Sequence, residues 1–405
     1  MGSLAAGALN YLYYPVLGHL LKLDAYGEVQ ALVALSMQLI IFITVLSQVT
    51  VNVAASYDDE THKRRVAFEL EKLALAISVG VFVIGVALSW RLGSFFHFSS
   101  IWPFITLLVA LVLTAPSSFR SAYLSGHKKF GATALYNVLS ALSRLVFSVL
   151  FVLIGWGAVG AIAGLVVSQI IAFIYTAFKA RAIGFGQAPG LRYFSLPDVR
   201  FIVPELKYAL FVLVSSLGIT LLGSLDVFVV KHYFDAQTAG RYAGISSVAR
   251  IIFFLTVSIA QVLLPSVRKS RPMRENRQYL LRSMALLGVI GGAVLVGFTS
   301  LPRFTVGVLM GRSYTELSHL LPILSLAMFI ISVLNLLVYY YIALRSYQIC
   351  VIVIAGTVVT CGLMVMHHAS LPAVISNLIW GSAAMLGLFA SWSVWDGVRQ
   401  KRRLA

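Results

Sequence analysis

Apolar residues along this chain gather into long runs divided by short polar links. Runs of 18 or more residues recur from one end to the other, each long enough as a helix to cross ~30 Å of hydrocarbon. Twelve are assigned, at about 2–21, 28–50, 73–92, 101–122, 132–153, 158–180, 205–234, 239–264, 280–300, 316–341, 346–366 and 371–395. The ten-residue alternating segments of a membrane β-barrel are absent. The pattern therefore predicts an all-α, polytopic membrane protein of about twelve transmembrane helices. Pro15, Pro116 and Pro322 fall inside runs and predict kinks there. The first twenty residues lack a basic leader and a small-residue cleavage site, so they read as the first span rather than a signal peptide.

Composition agrees with the pattern. Only 11% of the residues are charged and mean hydropathy is +0.91, whereas a soluble domain carries roughly a quarter charged residues. The net charge of +17 would suggest nucleic acid in a soluble protein, but the basic residues sit at the links between runs. Twenty-three Lys and Arg border the links on one side of the twelve-span arrangement and six border the other. The positive-inside rule then puts both termini in the cytoplasm and the protein in the cytoplasmic membrane, among its lipids and away from nucleic acid.

The longest polar link, 181–204, carries Gly184, Gly186, Pro189, Gly190, Pro197 and Pro204. It divides the chain into an N-terminal six-helix lobe (1–180) and a C-terminal one (205–405), with 181–204 as a cytoplasmic linker. A shift of 213 positions aligns Ser3 with Ser216, His19 with His232, Gly27 with Gly240 and Gln48 with Gln261. Six spans per half in equal orientation is the parallel repeat found in transporters.

No Walker A sequence, G-x-S-x-G, H-E-x-x-H or C-x-x-C occurs in a suitable context. The neighbouring His367 and His368 point to different faces of a helix end and read as an interfacial pair, not a metal site. Cys350 and Cys361 share one apolar run and read as structural. The chain is thus expected to act without a cofactor and not as an enzyme.

The polar residues inside the runs are the candidate site. Arg144 is central in the fifth run, with Asn137 and Ser148 within ~40° of it around a helix. An arginine there costs ~2.5–3.5 kcal/mol on insertion, which a wet cavity or a partner must offset. Arg250 in the eighth run has Ser246, Ser247 and Gln261 near its face; its alternative is a position close to the headgroups. Asp226 lies about two turns inside the outer end of the seventh run, as a protonatable carboxylate or as the partner of Lys231 or Arg241. Thr44, Gln48 and Asn52 step by four along the second run, and Asn10 and Tyr14 along the first; such stripes serve ligands or interhelical hydrogen bonds.

Three stretches resemble a known family. GSLDVFVVKHYFDAQTAGRYAGISSVARIIFFLTVSIAQVLLPSV (223–267) resembles the start of the second half of Wzx-type O-antigen and polysaccharide flippases, with Asp226 late in a long helix, Gly240-x-Tyr242 opening the next and Pro265 closing it. LLKLDAYGEVQALVALSMQL (20–39) is similar to the family's entry to its second helix, and GHKKFGATALYNVLSALSRLVFSVLFVLIGWGAVGA (126–161) to its fifth helix and the turn that follows. These flippases belong to the multidrug/oligosaccharidyl-lipid/polysaccharide exporter superfamily.

The resemblance implies two six-helix lobes around a central cavity that opens alternately to either side. It implies an undecaprenyl-pyrophosphate-linked oligosaccharide as substrate, carried outward for O-antigen, lipopolysaccharide or other polysaccharide synthesis. Arg250, at a position where the family often carries a basic residue, would bind the pyrophosphate with help from Arg144. A polysaccharide polymerase and chain-length proteins are the partners it suggests, and H+ or Na+ the coupling cation. Two other readings stand beside it. A cation-coupled multidrug exporter of the same superfamily would need carboxylates where this chain has arginines. A membrane-embedded polysaccharide polymerase or ligase would need a substantial outer loop bearing catalytic residues.

Overall fold

A computed structural model describes residues 2–56, 59–185, 197–198, 202–267, 272–346 and 348–404; the side chains of 2–4, 56, 204–208, 261, 264–265 and 393–404 also lie outside the described residues. All regular structure among the described residues is helical. The chain runs through α1 (Gly2–Leu20), α2 (Leu23–Ser56), α3 (Glu60–Phe95), α4 (Trp102–Gly126), α5 (Phe130–Phe151), α6 (Gly157–Arg181), α7 (Val203–Leu222), α8 (Leu225–Tyr233), α9 (Ala236–Ala249), α10 (Ile251–Ser266), α11 (Met273–Ser300), α12 (Pro302–Leu309), α13 (Leu321–Ala343), α14 (Gln348–Met366) and α15 (Leu371–Leu404). Nine stretches among the described residues are long and apolar enough to cross a membrane, or ten with the bent pair α7–α8. One of them, Phe130–Arg181, holds two helices. Each of the twelve apolar runs falls on a helix or a broken helix.

The breaks fall where the sequence reading did not put them. α1 and α4 continue through Pro15 and Pro116, and Pro322 lies in the first turn of α13, where its missing N–H costs nothing. The seventh span instead bends by 49° between α7 and α8, at Gly223 and Ser224. The eighth runs on as one helix through Arg250, where α9 passes into α10. The fifth and sixth spans are joined through Gly155 and Gly157, whose φ of 101° and 52° only glycine adopts cheaply. α12, a short helix after the ninth span, was not anticipated.

The chain forms two compact units, Met1–Leu213 and Val214–Ala405, so the division falls inside α7. Ile202 and Ala209 explain why: they pack in the core of the first unit with Ile43, Leu46, Val66, Leu70 and Phe119. In that unit α4 packs on α2, α3 and α6, and α5 packs on α1 and α6. In the second unit α13 is central, contacting α9, α10, α11 and α15; 67% of its most apolar window is buried, against 11% for α11 and 22% for α3. The exposed side chains on those outer helices, such as Val83, Ile84, Val289 and Val296, suit acyl chains rather than water.

Outside the membrane, Asp235 caps α9. Its carboxylate accepts N–H bonds from Gln237 and Thr238 at 3.0 Å, and the Thr238 contacts hold its carboxyl below the usual range.

The α5–α6 hairpin depends on close approach at Gly164, where an added Cβ would collide with the backbone and hydroxyl of Ser148. Gly164→Ala is expected to destabilise the protein by about 1–3 kcal/mol through overpacking. Gly131, which has open space around it, provides the control. Thermal unfolding in detergent should rank Gly164→Ala well below Gly131→Ala; equal midpoints would refute the close packing of this hairpin.

Candidate functional site

The helix bend and the buried charges of the second unit belong together. Asp226 is fully buried in the first turn of α8. Arg250 Nη2 donates to its Oδ1 at 2.8 Å, while Ser246 Oγ and Tyr242 Oη donate to its Oδ2 at 2.7 and 3.1 Å. Arg250 Nε donates to the Gly223 carbonyl at 3.1 Å. The bend in the seventh span frees that carbonyl, and Arg250 of the eighth satisfies it. An unpaired charge at this depth would cost several kcal/mol, and the arrangement leaves neither the carboxylate nor the guanidinium without a partner.

One sequence expectation is corrected here. Asp226 pairs with Arg250 rather than with Lys231 or Arg241, because α9 turns its Tyr242–Ser246–Arg250 face onto α8. Arg241 pairs instead with Glu316 at 3.2 Å. Arg250 itself is 9% exposed and is bonded to Asp226. The side chain of Gln261, in α10, falls outside the described residues.

In the first unit Arg144 projects from α5 onto α1. Its guanidinium carbon lies 3.8 Å from the centre of the Tyr13 ring, a cation–π contact that offsets part of the insertion penalty. Tyr13 is held by its hydroxyl, which donates to Ala161 O of α6 at 3.1 Å, and by the edge of Tyr14 at 5.7 Å. Among the described residues, Arg144 Nε is buried with no hydrogen-bond partner and no carboxylate forms an ion pair with Arg144. Arg144 is half-buried, so the rest of the group remains within reach of a ligand.

The structure separates the residues grouped with Arg144 on one helical face. Ser148 is buried and donates to Ala161 O at 2.7 Å, which makes it part of the α5–α6 seam. Asn137 is exposed two turns earlier on α5, and Asn10 is exposed one turn before Tyr13 on α1. Thr44, Gln48 and Asn52 are all exposed along α2. Exposed amides in the middle of a membrane helix call for water or a polar ligand. At the helix ends, His368 stacks on Tyr233 with ring centres 3.6 Å apart, and His367 O accepts from Asn377 Nδ2.

Sequence reading missed Tyr13, Tyr242 and Ser246 as partners of charge. Tyr13 stands 213 positions before Asp226, the offset seen in the sequence. Each position faces an arginine, as a π-donor in one unit and as a carboxylate in the other. Glu28 and Arg241 form another such pair: Glu28 accepts from Ser99 Oγ at 3.0 Å in the link after α3, and Arg241 bonds Glu316 in the link before α13.

This helical architecture is that of membrane transporters. An inward-facing multidrug resistance MATE family transporter of the MOP superfamily matches it with a TM-score of 0.79 at 14% identity, over 98% of this chain and 96% of that one. The inward closed form of the lipid II flippase MurJ matches with a TM-score of 0.75 at 12% identity, over 97% and 86% of the two chains. A MATE transporter in the bent conformation gives 0.65 at 15% identity, over 100% and 95%. No curated protein matches at the level of sequence. A family model described as "Polysaccharide biosynthesis protein" matches residues 1–271. The chain therefore belongs to the polysaccharide biosynthesis protein family, and it is a multi-pass membrane protein whose fold is shared with these transporters and this flippase.

The Asp226–Arg250 pair predicts a specific stability pattern. Asp226→Asn leaves Arg250 buried without its counter-charge, and a loss of about 3–5 kcal/mol is expected. Removing both charges together, as Asp226→Leu with Arg250→Met, should recover most of it. Denaturant titration in detergent distinguishes the variants. A double variant no more stable than Asp226→Asn alone would show that the pair does not hold the bent seventh span.

Proposed function

We propose that the protein is a flippase that moves a lipid-linked oligosaccharide, with an undecaprenyl-pyrophosphate carrier, from the cytoplasmic to the outer leaflet. It would do so by exposing its polar residues alternately to the two sides of the membrane. The observation that carries this reading is Arg144: a cation deep in a span, laid on Tyr13, with a buried N–H and no carboxylate pair among the described residues. A diphosphate accepts bidentate hydrogen bonds from a guanidinium and would neutralise it. The exposed amides of Asn10, Gln48, Asn52 and Asn137 offer donors and acceptors to sugar hydroxyls. Membership of the polysaccharide biosynthesis protein family supports the saccharide.

The multidrug reading draws on the MATE likenesses, which at this identity speak for the fold. An exporter of amphipathic cations would present a carboxylate to its substrate. Asp226, the acid lying deep in a span, is fully buried and bonded to Arg250. In this proposal Arg144 therefore leads, and Arg250 reaches the pyrophosphate only by giving up Asp226.

Arg144→Ala should lower export of the lipid-linked saccharide at least tenfold per folded molecule in the membrane, and Arg144→Lys, which keeps charge without the planar fork, should fall between. Normal export by Arg144→Ala at normal protein level would sink this assignment.

We also propose that both termini face the cytoplasm, from the bias of Lys and Arg across the links. A reporter fused after Ala405 should work only if it is of the kind active in the cytoplasm. Activity solely of the externally active kind would reverse the topology.

A further inference from the structure

α3 begins with three turns of charged residues before its apolar stretch at 73–92, at the end of the first unit assigned above to the cytoplasm. Its carboxylates are treated differently from one another. Glu60 is exposed and bonded to Lys63 at 2.8 Å and to His127 at 3.3 Å. Glu69 is buried but answered by Lys72 at 3.2 Å and by the Asp198 N–H at 2.8 Å. Glu71 is 0% exposed, and neither of its oxygens receives a hydrogen bond among the described residues.

The charge that faces Glu71 is Arg120 of α4, whose Nη2 lies 3.2 Å from Oε1. Arg120 in turn lies over the rings of Phe173 and Phe185, at 4.5 and 5.8 Å. α2, the other helix packed on α3, carries its charged residues Asp24 and Glu28 near its opposite end. On α3 itself, Glu69 and Lys72 answer each other. A carboxylate stripped of water and of hydrogen bonds is poorly stabilised in its charged form. Burial pushes the Glu71 carboxyl up to about 7, against the pull of Arg120.

We infer that Glu71 is a proton-binding site through which the cytoplasmic pH regulates transport. The Glu71 carboxylate takes a proton from water on the cytoplasmic side and becomes a neutral acid; no other bond forms or breaks. Arg120 then loses this counter-charge while keeping its aromatic rings, so the α3–α4 contact weakens. α4 carries this change inward, because Thr114 and Ser117 lie buried above Arg120 on the same helix and Ser117 Oγ donates to Gln169 of α6 at 2.9 Å. Protonation at one end of the unit thereby alters the packing of the helices that hold Arg144. The regulatory part of this inference rests on the flippase reading, whereas proton binding does not.

Two measurements on the full-length protein test it. In lipid vesicles without substrate, infrared difference spectra should show a protonated-carboxyl C=O band that titrates near neutral pH. Glu71→Gln should abolish that band, and Arg120→Gln should move its midpoint upward by at least one pH unit, since an opposite charge lowers a carboxyl by about 1–3 units. A band unaltered by Glu71→Gln, or absent at neutral pH, would overturn the site. If Glu71→Gln does not accumulate, Arg120→Lys serves instead, keeping the charge and therefore a midpoint near the wild-type one.

In the second measurement, vesicles export a prenyl-pyrophosphate-linked saccharide with both faces held below or above neutral pH and no gradient imposed. The wild-type rate should differ severalfold between the two conditions, and Glu71→Gln should transport at a rate indifferent to pH. A wild type indifferent to pH would overturn the regulation. Absence of any saccharide transport, with the infrared band intact, would instead overturn the flippase reading and leave the proton site standing.

Discussion

The constraint on which this structure depends is the cost of a charge in a place without water. Lipid and packed helix interiors give an ionised side chain nothing to bond, so each such group needs a partner built into the fold. The second unit meets this with Asp226 and Arg250, whose mutual bond is completed by Tyr242, Ser246 and the Gly223 carbonyl. The bend of the seventh span accords with the same requirement. A straight seventh helix would keep the Gly223 carbonyl in its own ladder.

The first unit meets the constraint incompletely, and its incompleteness is informative. Arg144 has the Tyr13 ring but no carboxylate pair among the described residues. Glu71 has Arg120 but, among the same residues, no hydrogen bond to either oxygen. Groups left partly satisfied are those a substrate anion or a proton can complete. The closed network of the second unit, where Asp226 and Arg250 are already answered, is suited to holding shape. Function in this reading gathers where the accounting of polar groups stays open.

Two arginines are answered by different chemistry. Tyr13 receives one from α5, and Asp226 receives another from the α9–α10 junction. Glu28 and Arg241 each tie the start of a span to a later link. A ring face or a carboxylate can both receive a guanidinium.

The helical class, the twelve apolar runs and the segregation of basic residues into alternate links were legible in the sequence, because hydrocarbon thickness and topogenic charge act on composition over tens of residues. Arg144, Arg250 and Asp226 were also legible as exceptions, since a charge within an apolar run stands out by itself. Their partners were not. Tyr13 and Arg144 are brought together only by α1 packing on α5, and Asp226 met Arg250 rather than Lys231 because a bend at Gly223 turned it toward α9. Glu71 lies in a polar link of the sequence, and packing of α4 on α3 buries it against Arg120. Local sequence determines which segments leave water, through the summed hydropathy of neighbours. Tertiary structure alone decides which charges are satisfied, because a charge is answered by residues distant in the chain that packing brings within a few ångströms.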